Sequence, residues 1–170
     1  YEASDKIGGQ FNMAKGIPGK EEFEETLRYF QNRIDQSGVR LLLNTRATED
    51  VLMEGGYDEV VLATGVKPRI PDIPGIDHPK VLSYIDVLYH QKEVGQKVAV
   101  IGAGGIGFDV AEYLSHQGES PSLNPDMFWK EWGVDKEYRE GGALKEPKPE
   151  PSARELFLLK RSSGTVSYTH

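Results

Sequence analysis

The sequence predicts a layered α/β fold, and three observations carry that prediction. The run Lys97–Leu114 passes from an apolar strand pattern (Val98 to Ile101) through a cluster of glycines into a helical pattern with Phe108, Ala111 and Leu114 on one face. Short β-rich apolar runs also occur at Val39 to Leu43 and at Tyr57 to Gly65, where Val60, Val61 and Leu62 are continuous, as in a strand buried on both faces. Between the start of the chain and these runs, Phe23, Leu27, Phe30 and Ile34 recur at helical spacing and predict an amphipathic helix over residues 20–37, with Gly38 as its stop. The expected architecture is Rossmann-like, because strand, glycine turn and helix follow one another without a gap.

The glycine cluster is the element with chemistry in it. Gly102, Gly104 and Gly107 form G-x-G-x-x-G: the first permits a tight turn, the second lets backbone approach a pyrophosphate, and the third lets helix and strand pack closely. An anion then rests on the helix N-terminus, where unpaired N–H groups and the helix dipole favour negative charge.

The elements on either side follow in order. Tyr1 is not a Met, and Tyr1-Glu2 reads as the end of a strand whose body lies upstream, followed by the glycine turn Ile7-Gly8-Gly9-Gln10. Residues 66–79 carry Pro68, Pro71, Pro74 and Pro79, which excludes a helix interior or central strand and predicts a connector. Val81 to Tyr89 resumes a helical pattern. The helix after the glycine turn is expected to end near Gln117-Gly118, but no strand follows promptly. Residues 118–152 are rich in Pro, Gly, Ser and charge and read as an insertion, with Trp129 and Trp132 expected in a small core of its own. The delayed second strand is expected at Arg154 to Lys160.

That placement bears on cofactor choice. The C-terminal edge of the second Rossmann strand lies beside the adenosine ribose, where an Arg suits a 2'-phosphate, so Arg161 points to NADP. The competing reading makes Lys160 and Arg161 two solvated strand-end cations.

Composition excludes several classes. A net charge of −7 over 170 residues argues against a nucleic-acid partner. No cysteine is present, so disulfides, thiolate metal sites and Fe-S ligation are excluded within these residues. No apolar run approaches the roughly 20 residues of a membrane span. Tyr1-Glu-Ala-Ser-Asp5 lacks the features of a signal peptide, and a cytoplasmic setting is expected. His78, His90, His116 and His170 have no Asp, Ser or metal-ligand partner at a recognisable spacing, and Glu21, Glu22, Glu24 and Glu25 read as a solvated first helical turn. No residue is assigned a catalytic or metal-binding role.

Five segments together resemble a known family. They are Glu2-Ala-Ser-Asp-Lys-Ile-Gly-Gly-Gln-Phe-Asn12, Ile17-Pro-Gly-Lys-Glu-Glu-Phe23, Ala63-Thr-Gly-Val-Lys-Pro-Arg69, Gly75 to Tyr84, and Ile101-Gly-Ala-Gly-Gly-Ile-Gly-Phe-Asp109. They are similar to the C-terminal half of bacterial NADPH-dependent 2,4-dienoyl-CoA reductases, flavoproteins of the Old Yellow Enzyme type. The similarity extends into the insertion at Gly118-Glu-Ser120 and Glu131-Trp-Gly-Val-Asp135. It implies a two-dinucleotide-binding-domain flavoprotein fold, with residues 1–79 as part of an FAD domain plus connector. Residues 80–170 would then form an NADP-binding Rossmann domain, interrupted by the 118–152 insertion and cut short at its end.

In that family a TIM barrel holds FMN, a 4Fe-4S cluster bridges, and electrons pass from NADPH through FAD, cluster and FMN to an unsaturated acyl-CoA. The resemblance assigns Glu2 to the FAD ribose hydroxyls, Gly9, Gln10 and Lys20 to cofactor contact, Ala47 to the adenine, and Ala63, Thr64 and Gly65 to a turn passing close to FAD. It assigns Gly102, Gly104, Gly105, Gly107, Arg161 and Ser162 to NADP. FMN, the cluster and the acyl-CoA would belong to parts outside these residues. Two departures are visible: the first FAD strand with its own glycine motif is missing, which predicts weak FAD binding, and Ser162 stands where the family has a basic residue. The alternatives are a related barrel flavoenzyme, trimethylamine dehydrogenase-like or enoate reductase-like, or a non-catalytic nucleotide-binding module.

Overall fold

The computed structural model describes residues 1–139 and 141–161. These residues divide into two compact units. The first comprises Tyr1–Asn12 and Phe23–Val81; the second comprises Met13–Glu22 and the described residues from Leu82 onward.

The second unit contains the Rossmann element. Strand β1 (Lys97–Ile101) pairs in parallel with β2 (Glu155–Leu159), in the register Lys97 to Glu155 through Ile101 to Leu159. Here β2 is the delayed strand expected after the insertion. Parallel neighbours require a crossover, and it is supplied by helix α5 (Gly105–Ser115) and the insertion. Alternate residues Val98, Val100 and Leu156 turn toward a core made by Val87, Val110 and Leu114. Val87 comes from the short helix α4 (Tyr84–Leu88). A capping box starts α4: Ser83 Oγ accepts from the Asp86 N–H, and the Asp86 carboxylate accepts from the Ser83 N–H. Those hydrogen bonds and Lys92 hold the Asp86 carboxyl well below the usual carboxylate range, with Lys92 the largest cause. Arg154 fastens the return of the chain, its Nη1 donating to the Leu114 carbonyl (3.0 Å) at the end of α5.

The insertion is built on turn chemistry. Helix α6 (Pro125–Trp132) starts with Asn124 as N-cap and Pro125 in its first turn, and stops at Gly133 in the left-handed conformation (φ 67°). The chain folds back antiparallel at Val134 and Leu144. The expected small tryptophan core is not formed: Trp132 is 63% exposed, Trp129 is half-buried, and the buried residues among those described in the insertion are Ser120, Gly133 and Asp135. Asp135 takes that role because its carboxylate accepts from the backbone N–H groups of Glu137 and Arg139.

In the first unit α1 (Phe11–Ala14) begins and crosses into residues of the second; α2 (Phe23–Ser37) and α3 (Glu49–Glu54) follow. Helix α2 starts at Phe23, the first residue of its apolar stripe and three residues later than expected. Thr48 caps α3, accepting from the Val51 N–H. The two early strands are not formed. Val39 to Leu43 lacks a ladder: Glu2 N–H donates to Leu42 O, Thr45 N–H to Glu2 O, and Asn44 N–H to Ser4 O, but Asn44 turns left-handed (φ 53°) and interrupts the pairing. Val61 and Leu62, expected inside, are 88% and 79% exposed. A strand covered on both faces takes its cover from flanking strands and helices, and among the described residues no strand pairs with it. No helix among the described residues is long and apolar enough to cross a membrane.

Candidate functional site

The glycine turn sits at the C-terminal edge of the two-stranded sheet. Gly102 N–H donates to the Leu159 carbonyl (2.9 Å), which pins the turn to the end of β2. Its φ of +119° is a conformation that side chains with a Cβ rarely adopt. Gly107 is the point of closest approach, because a Cβ there would lie 2.9 Å from the Gly102 carbonyl carbon and nearer still to its oxygen. Gly104 and Gly105 differ: a Cβ on either would meet nothing within 4 Å. Two of the four glycines thus close the turn and two leave its outer surface open.

Gly104 is the N-cap of α5 and makes no side-chain capping bond, and the first turn holds no acidic residue. The leading N–H groups of the helix are left available to an anion. The register ends at Ile101 and Leu159, the residues just before Gly102 and Lys160. Arg161 is exposed and follows β2 by two residues, about 60 residues from Gly102 in sequence. The open backbone and uncapped helix fit a dinucleotide phosphate group. Ser162 lies outside the described residues, as does His170.

The residues assigned to FAD fall in different places. In the first unit, Glu2 is half-buried and its Oε1 accepts from both the Ser4 N–H (2.8 Å) and Ser4 Oγ (2.6 Å). The Ser4 hydroxyl, then the Ser4 backbone, hold this carboxyl below the usual range. Both bonds go to one oxygen, and the carboxylate's other oxygen suits a ribose hydroxyl. Backbone bonding of Glu2 to Thr45 brings it near Ala47, which is exposed. Gly9 and Gln10 lie in the turn leading to α1, both exposed. Ala63, Thr64 and Gly65 are exposed and belong to no strand.

Lys20 has a partner that the sequence pattern did not suggest. It belongs to the second unit, where its Nζ donates to Asp109 Oδ1 at 2.6 Å. The adjacent Glu21 accepts from Ser122 Oγ (2.7 Å), and Ser122 in turn bonds Ser120. Burial pushes the Glu21 carboxyl up, but the hydroxyls of Ser120 and Ser122 together take it below the usual range. Asp109 went unnoticed because a lone Asp inside an amphipathic helix reads as a solvated residue; its position five residues after Gly104 was the available signal. Among the described residues there is no group of three His, Asp or Glu side chains able to hold a metal ion.

The chain matches a family model described as pyridine nucleotide-disulphide oxidoreductase over residues 5–124. Curated relatives include a metal reductase of Desulforamulus reducens, 34% identical over 122 residues (69% of this chain and 18% of the relative). A cinnamate reductase of Clostridium sporogenes is 36% identical over 123 residues, or 72% of this chain and 18% of the relative. Among solved structures, a 2-naphthoyl-CoA reductase in complex with 2-naphthoyl-CoA is 39% identical with a TM-score of 0.64, over 67% of this chain and 17% of that one. The chain therefore spans about a fifth of the length of these relatives.

Proposed function

Because the chain belongs to the pyridine nucleotide-disulphide oxidoreductase family, with its Rossmann-like FAD/NAD(P)-binding fold, we propose that it supplies the NADPH site and part of the FAD site of a 2,4-dienoyl-CoA reductase-like enzyme. The observation that carries the reading is the glycine turn, closed at Gly102 and Gly107, open at Gly104 and Gly105, and pinned to the end of β2 at Leu159. When bound, the nicotinamide supplies a hydride and the flavin accepts it.

This chain's residues hold and orient. The N–H groups at the start of α5 take the pyrophosphate, Arg161 takes the 2'-phosphate with Lys160 adding charge, and Glu2 takes the flavin nucleotide's ribose. Gly9, Gln10, Ala47 and Ala63 to Gly65 give small or polar surface for close approach to FAD. FMN, a 4Fe-4S cluster and the acyl-CoA site belong to residues outside this chain, which has no cysteine for a cluster or for the disulphide in the family's description.

The similarity to a 2-naphthoyl-CoA reductase and a cinnamate reductase favours an unsaturated acyl-CoA or enoate as the electron acceptor. The test is NADPH and NADH titration, with flavin bleaching as readout, on the full-length protein carrying this chain. Preference for NADPH that is lost in Arg161→Ala supports the reading. An unchanged NADPH/NADH ratio in that variant overturns the assignment of Arg161, and oxidation of neither nucleotide overturns the function.

A further inference from the structure

The Lys20–Asp109 pair is partly buried and ties the segment before α2 to the helix that begins at the glycine turn. Its surroundings fix it in place. Lys20 N–H donates to the Ile17 carbonyl (3.0 Å), Ile17 is buried, and on the other side Glu21 is tied to Ser122. The ammonium therefore extends from a strap held on both sides, and it meets the fifth residue of the helix that starts at the glycine turn.

That helix is where a dinucleotide's pyrophosphate would rest, and its first turn carries no acidic residue. Asp109 is the first carboxylate along it, only about 7–8 Å of axial rise from the N-cap at 1.5 Å per residue. This is inside the Debye length of about 10 Å at 0.1 M salt. An uncompensated charge there would repel an incoming pyrophosphate through partly buried surroundings, since the Lys20 and Asp109 side chains are only 39% and 28% exposed.

We propose that Lys20 is a positioning residue for the nicotinamide dinucleotide, acting through Asp109: it cancels the carboxylate's charge on the helix that receives the pyrophosphate. This rests on reading the glycine turn as the dinucleotide site. It gives Lys20 a role other than the direct cofactor contact implied by resemblance, and it makes residues 13–22 part of the nicotinamide site. The strap needs no contact with the ligand.

The experiment measures NADPH dissociation constants for the full-length protein carrying this chain and for its Lys20→Gln, Asp109→Asn and double variants, at low and high salt, with flavin content determined for each. Lys20→Gln is expected to weaken NADPH binding about three- to tenfold at low salt, less at high salt. Asp109→Asn should bind as tightly as the parent or tighter, and the double variant should return to within about twofold of the parent, as cancellation of a single charge requires.

Equal weakening by both single variants, with no recovery in the double, would mean that the pair only braces the strap and would overturn the proposal. So would an unchanged NADPH affinity in Lys20→Gln, including the case in which that variant loses only flavin. Failure of the parent protein to bind NADPH overturns the reading of the glycine turn itself, a separable result.

Discussion

Ala substitutions at Gly105 and Gly107 test whether the glycine turn is divided between structure and ligand as its geometry states. At Gly107 a Cβ would lie 2.9 Å from the Gly102 carbonyl carbon and closer to the oxygen, so relief requires moving backbone. Overpacking of this kind costs about 1–3 kcal/mol, and a backbone obstacle puts it near the upper end. Replacing a helical Gly returns about 0.5–1 kcal/mol, leaving a net loss of about 2 kcal/mol. That corresponds to a fall of roughly 8–16 °C in the unfolding midpoint of a unit of about 100 residues. At Gly105 a Cβ meets nothing within 4 Å, so Ala is expected to leave stability unchanged or raise it by up to about 1 kcal/mol. The methyl group nevertheless occupies the space through which a phosphate would approach, and NADPH binding should fall by at least about tenfold, or 1.4 kcal/mol. Thermal unfolding and NADPH titration of the full-length protein read the two effects separately. Normal NADPH binding by Gly105→Ala would refute the open cradle, and parental stability in Gly107→Ala would refute the close approach.

Other consequences follow from the same geometry. Leu114, 2% exposed in the core beneath the sheet, should cost about 2–5 kcal/mol as Ala, measured by denaturant unfolding. Gly133→Ala combines a left-handed φ of 67° with a Cβ 2.8 Å from the Pro147 nitrogen, and should loosen the insertion, seen as faster proteolysis between residues 133 and 150. The Glu21 carboxyl lies below its ordinary value, so its bonds to Ser122 and Ser120 contribute fully above the unfolded value of about 4.3. Their contribution disappears as pH falls through the lower folded value. Unfolding midpoints of the parent and Glu21→Gln should therefore differ at neutral pH and converge in acid; a gap that widens on acidification would contradict this.

The parts of the fold legible in the sequence were those whose signal is local. The run Val98 to Ile101, the glycines after it and the helical face to Leu114 specify strand, turn and helix from neighbouring residues alone, and β1 and α5 formed where that pattern put them. The delayed strand at Glu155–Leu159 was readable because apolar β-formers interrupt a polar stretch. Val60 to Leu62 carried an equally strong strand signal and stayed exposed and irregular, because a buried parallel strand depends on partners that its own residues cannot provide. Trp129 and Trp132 misled for a related reason: aromatic content signals a core only when facing elements cover it, whereas Trp129 lies under the Lys136 ammonium and Trp132 is 63% exposed.

The amino-acid sequence by itself determined the glycine turn, its helix, the absence of thiols within these residues and the strand that resumes after the insertion, since each depends on residue type and short-range spacing. Tertiary structure alone decided that β1 and β2 meet in parallel, from Lys97 against Glu155 to Ile101 against Leu159, and that Lys20 is paired with Asp109. Both facts join residues about 60 to 90 positions apart, and only the crossover and the strap, closed by parallel pairing and anchored backbone bonds, bring them together.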